Sequence, residues 1–145
     1  MKYKIAGIII MSFLAIQFIP YGKEHNNPPV ASEPKWDSPA TRTIFFQACS
    51  NCHSNETKWP WYSNVAPVSW LIQSDVDEGR EHVNISLWGV QKKNVADEAA
   101  KEVREKEMPP WYYVLGNPGA KLTEQERKDF ILGLVTTFGD KRNVH

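Results

Sequence analysis

Cys49-Ser50-Asn51-Cys52-His53 is the stretch on which the reading of this chain turns. The pattern C-x-x-C-H sets two thiols three residues apart with an imidazole directly after the second, which is the spacing of covalent haem attachment. Each thiol can add to one vinyl group of the porphyrin, giving two thioether bonds. His53 then lies where a ring nitrogen reaches the iron as proximal ligand. The chain holds two cysteines in all, so this one task would occupy both. The same spacing also serves thiol redox pairs, disulfides and half zinc sites. A thioredoxin-like pair follows a strand in a βαβ setting, whereas residues 38–48 read as a helix. A structural zinc site usually needs four Cys or His ligands. Beyond the motif only His25, His82 and His145 remain, none at zinc-finger spacing.

Outward from the motif the chain reads as all-α. Ser38 suits an N-cap and Pro39 the first helical position, opening a helix that presents Ile44, Phe45 and Ala48 and delivers Cys49. Residues 54–67, SNETKWPWYSNVAP, read as an ordered aromatic loop that walls one haem edge. Pro67 can open a second helix, predicted to stop near Gly79. The alternating stretch 83–88 reads as an extended connection without a partner strand. Residues 92–107 read as a third helix with Val95, Ala99 and Val103 on one face. Thr123 with Glu126 forms a capping box for a last helix to Phe138 that buries Phe130, Ile131, Leu134, Val135 and Phe138, with Gly139 ending it. No internal repeat is present.

With 145 residues and 41% apolar content, one domain with a modest core is expected. Formal net charge is zero, which gives no support for a nucleic-acid partner, since that would show a basic stripe. Six Trp, five Tyr and six Phe are enough flat rings to wall a dry pocket, although small domains also use aromatics for bulk.

At the amino terminus, Lys2 and Lys4 form a positive head, and residues 5–19 are apolar apart from Ser12 and Gln17. Residues 1–21 therefore read as an export signal or an uncleaved anchor. As a helix the run measures roughly 22 Å, short of the ~30 Å hydrocarbon core. Either way the positive head stays cytoplasmic and residues 36–145 are exported. Residues 22–35, GKEHNNPPVASEPK, read as a semi-extended polar linker that joins no core.

The iron's second face needs its own ligand, and what fills it separates electron transfer from chemistry on small molecules. Met108 is the best-placed thioether. Pro109 and Pro110 follow at once, stiffening the loop and removing two backbone donors. Met1 and Met11 lie in the apolar leader. His82 is the alternative ligand, although the charged run before it suits a surface histidine. Arg80 is a candidate grip for a haem propionate, and Trp59, Trp61, Trp70 and Trp111 are candidate indole donors.

From about Trp36 to Phe138 the chain resembles the single-domain, cytochrome c-like haem-binding proteins of exported bacterial origin. The resemblance rests on C-S-N-C-H-S-N at 49–55, W-P-W-Y-S-N-V-A-P at 59–67, D-E-G-R at 77–80, N-x-S-x-W at 84–88, M-P-P-W-Y-Y at 108–113 and L-T-E-Q-E at 122–126. It implies a helical domain with long loops around one haem c, covalent through Cys49 and Cys52, with His53 proximal and Met108 distal. The expectation is a monohaem c-type cytochrome that catalyses no reaction and passes single electrons between redox partner proteins. It would lie on the periplasmic side of the bacterial inner membrane, in contact with that membrane through residues 5–19 if they are uncleaved. The alternative is a haem enzyme or a gas or redox sensor with a displaceable sixth ligand.

Overall fold

A computed structural model describes residues 2–141. His145 and Met1 lie outside the described residues, as does the last stretch of the expected 36–145 domain. Among the described residues there are seven α-helices and no strand: α1 (Lys2–Ile16), α2 (Pro39–Ala48), α3 (Ser50–His53), α4 (Val68–His82), α5 (Ala99–Arg104), α6 (Trp111–Gly116) and α7 (Glu124–Phe138). The all-α expectation stands.

The caps explain where the principal helices begin. The Ser38 hydroxyl accepts from Thr41 N–H, and Pro39 occupies the first turn. Thr123 accepts from Glu126 N–H while the Glu126 carboxylate accepts from Thr123 N–H, the reciprocal pair read from the sequence. The core gathers Phe45 and Ala48 of α2, Ala100 and Val103 of α5, and Phe130 and Leu134 of α7, together with Val83 and Ile85. Trp36, Ile131, Val135 and Phe138 pack against it. Gly133 of α7 lies so close to Thr41 of α2 that any β-carbon there would collide with the threonine side chain.

Three expectations need correction. The helix over 92–107 is shorter: a 3₁₀ turn, Ala96–Glu98, leads into α5, which ends at Arg104. The Asn94 side chain accepts from Ala96 N–H and starts the turn there. Helix α4 runs through Gly79 to His82.

The segment 22–35 does join the fold. It lies along the domain as a strap. His25 stacks on Trp59 with ring centroids 4.5 Å apart, and Asn27 donates to the Thr57 carbonyl. Ala31 and Ser32 N–H both donate to the Ser86 carbonyl. Glu33 takes two 2.8 Å bonds from Arg42, and that guanidinium holds its carboxyl below the usual range. Polar composition suggested a free linker, but here the polar groups find backbone partners within the domain.

Helix α1 is apolar and has no buried residue. No helix among the described residues is long and apolar enough to cross a membrane. Beyond Ile16, three successive i→i−3 bonds carry the turn to Ile19. The expected N-terminal helix is present as α1, 15 residues long like the apolar run 5–19 but begun three residues earlier, and it is not long and apolar enough to span a membrane.

Candidate functional site

Helix α2 ends by handing its last bond to the motif: Cys49 N–H donates to the Phe45 carbonyl at 2.8 Å. One further turn, α3, follows because Cys52 and His53 N–H both return to the Cys49 carbonyl. Residues three apart share a helix face, so the turn sets the two thiols on one side. Hydroxyls brace it, Ser50 donating to the Phe46 carbonyl and Ser54 to the Ser50 carbonyl.

Helix α4 presses against this turn at a glycine. A β-carbon on Gly79 would stand 2.6 Å from the Cys52 carbonyl oxygen. The close approach brings two carbonyls of the α4 terminus to the imidazole, and His53 Nδ1 lies 3.0 Å from the Gly79 oxygen and 3.1 Å from the Val83 oxygen. Both are acceptors only, so Nδ1 carries the hydrogen and Nε2 keeps its lone pair. Burial holds the imidazole below its ordinary pKa, against the two carbonyl bonds that raise it. The ring is therefore neutral and orientated, with an Nε2 lone pair able to bind a metal, the arrangement in which ligating histidines are held.

Cys49 and Cys52 are free thiols, and burial pushes both up to about 12. A dithiol redox site needs the opposite, a lowered pKa that supplies thiolate at neutral pH. The environment therefore speaks against thiol–disulfide exchange. Among the described residues, no cluster of three or more His, Cys, Asp or Glu side chains can hold a metal ion, which removes the zinc reading there.

The motif opens on a cavity of about 420 Å³, within the range of small-molecule and cofactor pockets. Cys49, Cys52 and His53 line one part of it, with Phe45, Ala48, Val103, Phe130 and Leu134 as apolar wall. Met108 lines the same cavity, with Pro109, Pro110, Tyr112 and Tyr113 beside it. Its placement follows from how α5 ends. Lys106 takes a left-handed φ of 64°, its N–H returns to the Val103 carbonyl, and Glu107 N–H returns to that of Glu102. This is a Schellman stop with lysine where glycine is usual, and it turns the chain back at Met108.

The wall also carries Asp75, Glu78, Glu98, Glu102 and His82. His82 is exposed, and its Nδ1 bonds the Glu78 carbonyl at 2.8 Å. The Tyr112 hydroxyl donates to Asp75 at 3.3 Å. Burial raises the Asp75 carboxyl, the tyrosine bond lowers it, and Glu78 raises it further. Asn51 donates to the Tyr113 oxygen, and burial pushes that phenol up to about 12.

Arg80 is not placed to grip a propionate. Its guanidinium donates to Ser54 and Asn26 carbonyls, to Asn27 Oδ1 and to Thr57 Oγ1, all at 2.9–3.0 Å. It fastens the strap to the post-motif loop and does not line the cavity. None of Trp59, Trp61, Trp70 and Trp111 lines it either, so the indole donors are likewise corrected. The aromatic loop 54–67 contributes nothing to the wall.

Sequence reasoning missed Asp75, Tyr112, Tyr113 and the packing role of Gly79. A glycine inside a helical pattern signals close backbone approach, so Gly79 was open to discovery. The others carried no spacing signal.

The donor set and the cavity fit a covalently held haem. A family model described as a haem-binding domain matches residues 11–135. No curated protein and no solved structure matches the chain.

Proposed function

This chain belongs to the haem-binding domain family, and from that premise we propose that it is a monohaem c-type cytochrome. It carries single electrons between partner proteins on the exported side of the bacterial inner membrane and catalyses no reaction of its own. Cys49 and Cys52 would hold the porphyrin through thioether bonds, and His53 and Met108 would provide the axial pair. Bound there, haem supplies an iron that alternates between ferric and ferrous states. The observation that carries the reading is the shared wall: Met108, distant in sequence, lines the same cavity as Cys49, Cys52 and His53.

The protein's own residues have distinct tasks. The Gly79 and Val83 carbonyls fix the His53 ring and strengthen it as a donor. The Schellman stop and the two prolines hold Met108 in place, so little entropy is lost when its sulfur is engaged. Phe45, Val103, Phe130 and Leu134 keep water from the site. Helix α1 serves as the export segment and is retained as the membrane attachment.

His82 and the Tyr112–Asp75 pair on the cavity wall favour one second reading. They could serve as distal proton donors if Met108 were displaceable, giving a haem enzyme or a gas or redox sensor.

The test is optical. Protein made with a working cytochrome maturation system should be coloured, low-spin in both oxidation states, and heavier than its polypeptide by one haem. Met108→Ala should lose the ferric charge-transfer band of thioether ligation and lower the potential, since a thioether favours the ferrous state. His82→Ala should change neither. An unaltered spectrum and potential in Met108→Ala refute the axial assignment. Carbon monoxide binding to the reduced wild type favours the second reading. A colourless product of unmodified mass refutes the whole.

A further inference from the structure

Helix α1 does not leave the domain on a free tether. The Gln17 side chain clamps the turn after it to Ala66, with Nε2 donating to the Ala66 carbonyl at 2.9 Å and Oε1 accepting from Ala66 N–H at 3.0 Å. Lys23 closes the turn by donating to the Gln17 carbonyl. Gly22, at φ 80°, is buried against the start of α4, and a β-carbon there would stand 2.5 Å from the Ser69 carbonyl oxygen. The segment 17–23 is thus an elbow keyed to residues 66–70 by contacts a side chain would break.

Exposed apolar groups flank that joint. Phe18, Ile19 and Tyr21 lie on the elbow itself, Trp61 on the 3₁₀ turn before Ala66, and Val68 and Leu71 on the first turn of α4. Trp61 is 79% exposed. This patch continues directly into α1, none of whose residues is buried. Exposed apolar side chains flanking one joint mark it as a contact face. Helix α1 measures about 22 Å, against roughly 30 Å of hydrocarbon, and a short apolar helix draws its flanking residues inward. With the elbow rigid, those flanking residues are the domain's own, and Trp and Tyr are the side chains that settle at headgroup depth.

We propose that the domain rests on the bilayer through the Trp61–Val68–Leu71 face, held in one orientation by the Gln17–Ala66 elbow. The occupant of the patch is the lipid surface next to α1. This rests on the proposed retention of α1 in the membrane. It adds that the haem domain does not tumble above the membrane, so partners meet it from a fixed side.

The full haem-loaded chain in phosphatidylethanolamine–phosphatidylglycerol vesicles tests this by hydroxyl-radical footprinting. Leu132 of α7 and Val90, both exposed and outside the elbow and the first turn of α4, serve as internal references. In wild type, Trp61 and Leu71 should oxidise several-fold more slowly than in Gln17→Ala or Gly22→Leu, with Leu132 and Val90 unchanged and all three proteins sedimenting with the vesicles. Equal Trp61 oxidation in sedimenting wild type and both variants overturns the elbow while leaving membrane attachment intact. Protection retained in both variants, from a protein partner or otherwise, also overturns it. Failure of the wild type to sediment overturns the attachment and the elbow together, while the visible spectrum reports the haem reading separately.

Discussion

Replacing Gly79 with alanine should loosen the site more than any other single methyl group. The new β-carbon would lie 2.6 Å from the Cys52 carbonyl oxygen, 2.9 Å from Cys52 Cβ and 3.0 Å from the Cys52 carbonyl carbon. All three belong to the α3 turn and cannot swing aside as a flexible side chain would. Overpacking of this kind costs typically 1–3 kcal/mol, and backbone on the receiving side sets the upper half of that range, about 2–3 kcal/mol. Moving α4 away also stretches the bond from His53 Nδ1 to the Gly79 oxygen, worth about 1 kcal/mol. Alanine returns about 1 kcal/mol in helix propensity. The sum is a loss of about 2–3 kcal/mol, or a melting temperature lower by very roughly 10–20 °C for a domain near 100 residues. Thermal and urea unfolding of the haem-loaded protein, followed in the Soret region and by far-ultraviolet dichroism, gives both numbers. Gly119→Ala is the control, because nothing lies within 4 Å of its β-carbon position. If Gly79→Ala melts with the control, the close approach of α4 to the motif is wrong, and with it the account of how His53 is orientated.

Other perturbations separate local roles. Burial raises the Asp75 carboxyl above its ordinary value of 3.8, so its contribution to folding is fully favourable only below that value and is lost as pH rises through the folded pKa. Asp75→Asn should therefore stabilise the protein at neutral pH, with the gain vanishing toward pH 4 in urea titrations; a pH-independent loss would contradict the assignment. Arg80→Gln should destabilise by about 2–4 kcal/mol, because charged bonds to Ser54, Asn26, Asn27 and Thr57 go unmade. It should leave the midpoint potential nearly unchanged, where loss of a propionate partner would shift it. Gly133→Ala should destabilise through its collision with Thr41, and combining it with Thr41→Ala should recover part of the loss, a coupling that a double-mutant cycle measures.

What the sequence disclosed was whatever is encoded locally. Ser38, Pro39, Thr123 and Glu126 announce helix starts through bonds that span three residues, and the C-x-x-C-H spacing forms a local helical turn on the cavity wall. The two prolines after Met108 are local signals as well, and they single out a residue that lines the motif's cavity. The misses are long-range. Arg80 looked like a propionate-facing cation because nothing near it in sequence predicts that Asn26 and Asn27 come back to meet it. The strap 22–35 looked free because its composition is that of a linker, and its partners Thr57, Ser86 and Arg42 lie in three separate segments. The shortened α5 follows from the Asn94 turn and the left-handed Lys106, neither of which breaks the apolar periodicity of Val95, Ala99 and Val103.

The strap's arrangement bears on how the site is stabilised. The post-motif loop is held from two sides: Asn55 donates to the Pro29 carbonyl of the strap and accepts from Asn84 Nδ2, while Asn55 N–H donates to Ser86. Ile85 N–H donates to the His53 carbonyl. Asn55, Asn84 and Ser86 are all buried, and a buried polar network is stable only when every member is satisfied. Losing the strap would leave the Thr57 carbonyl and the Arg80 guanidinium short of partners beside the turn that carries Cys52 and His53. The strap therefore acts on the loop that follows His53 through polar bonds. That places residues 22–35 with the functional domain in physical terms, and the family match, which begins at Met11, includes them.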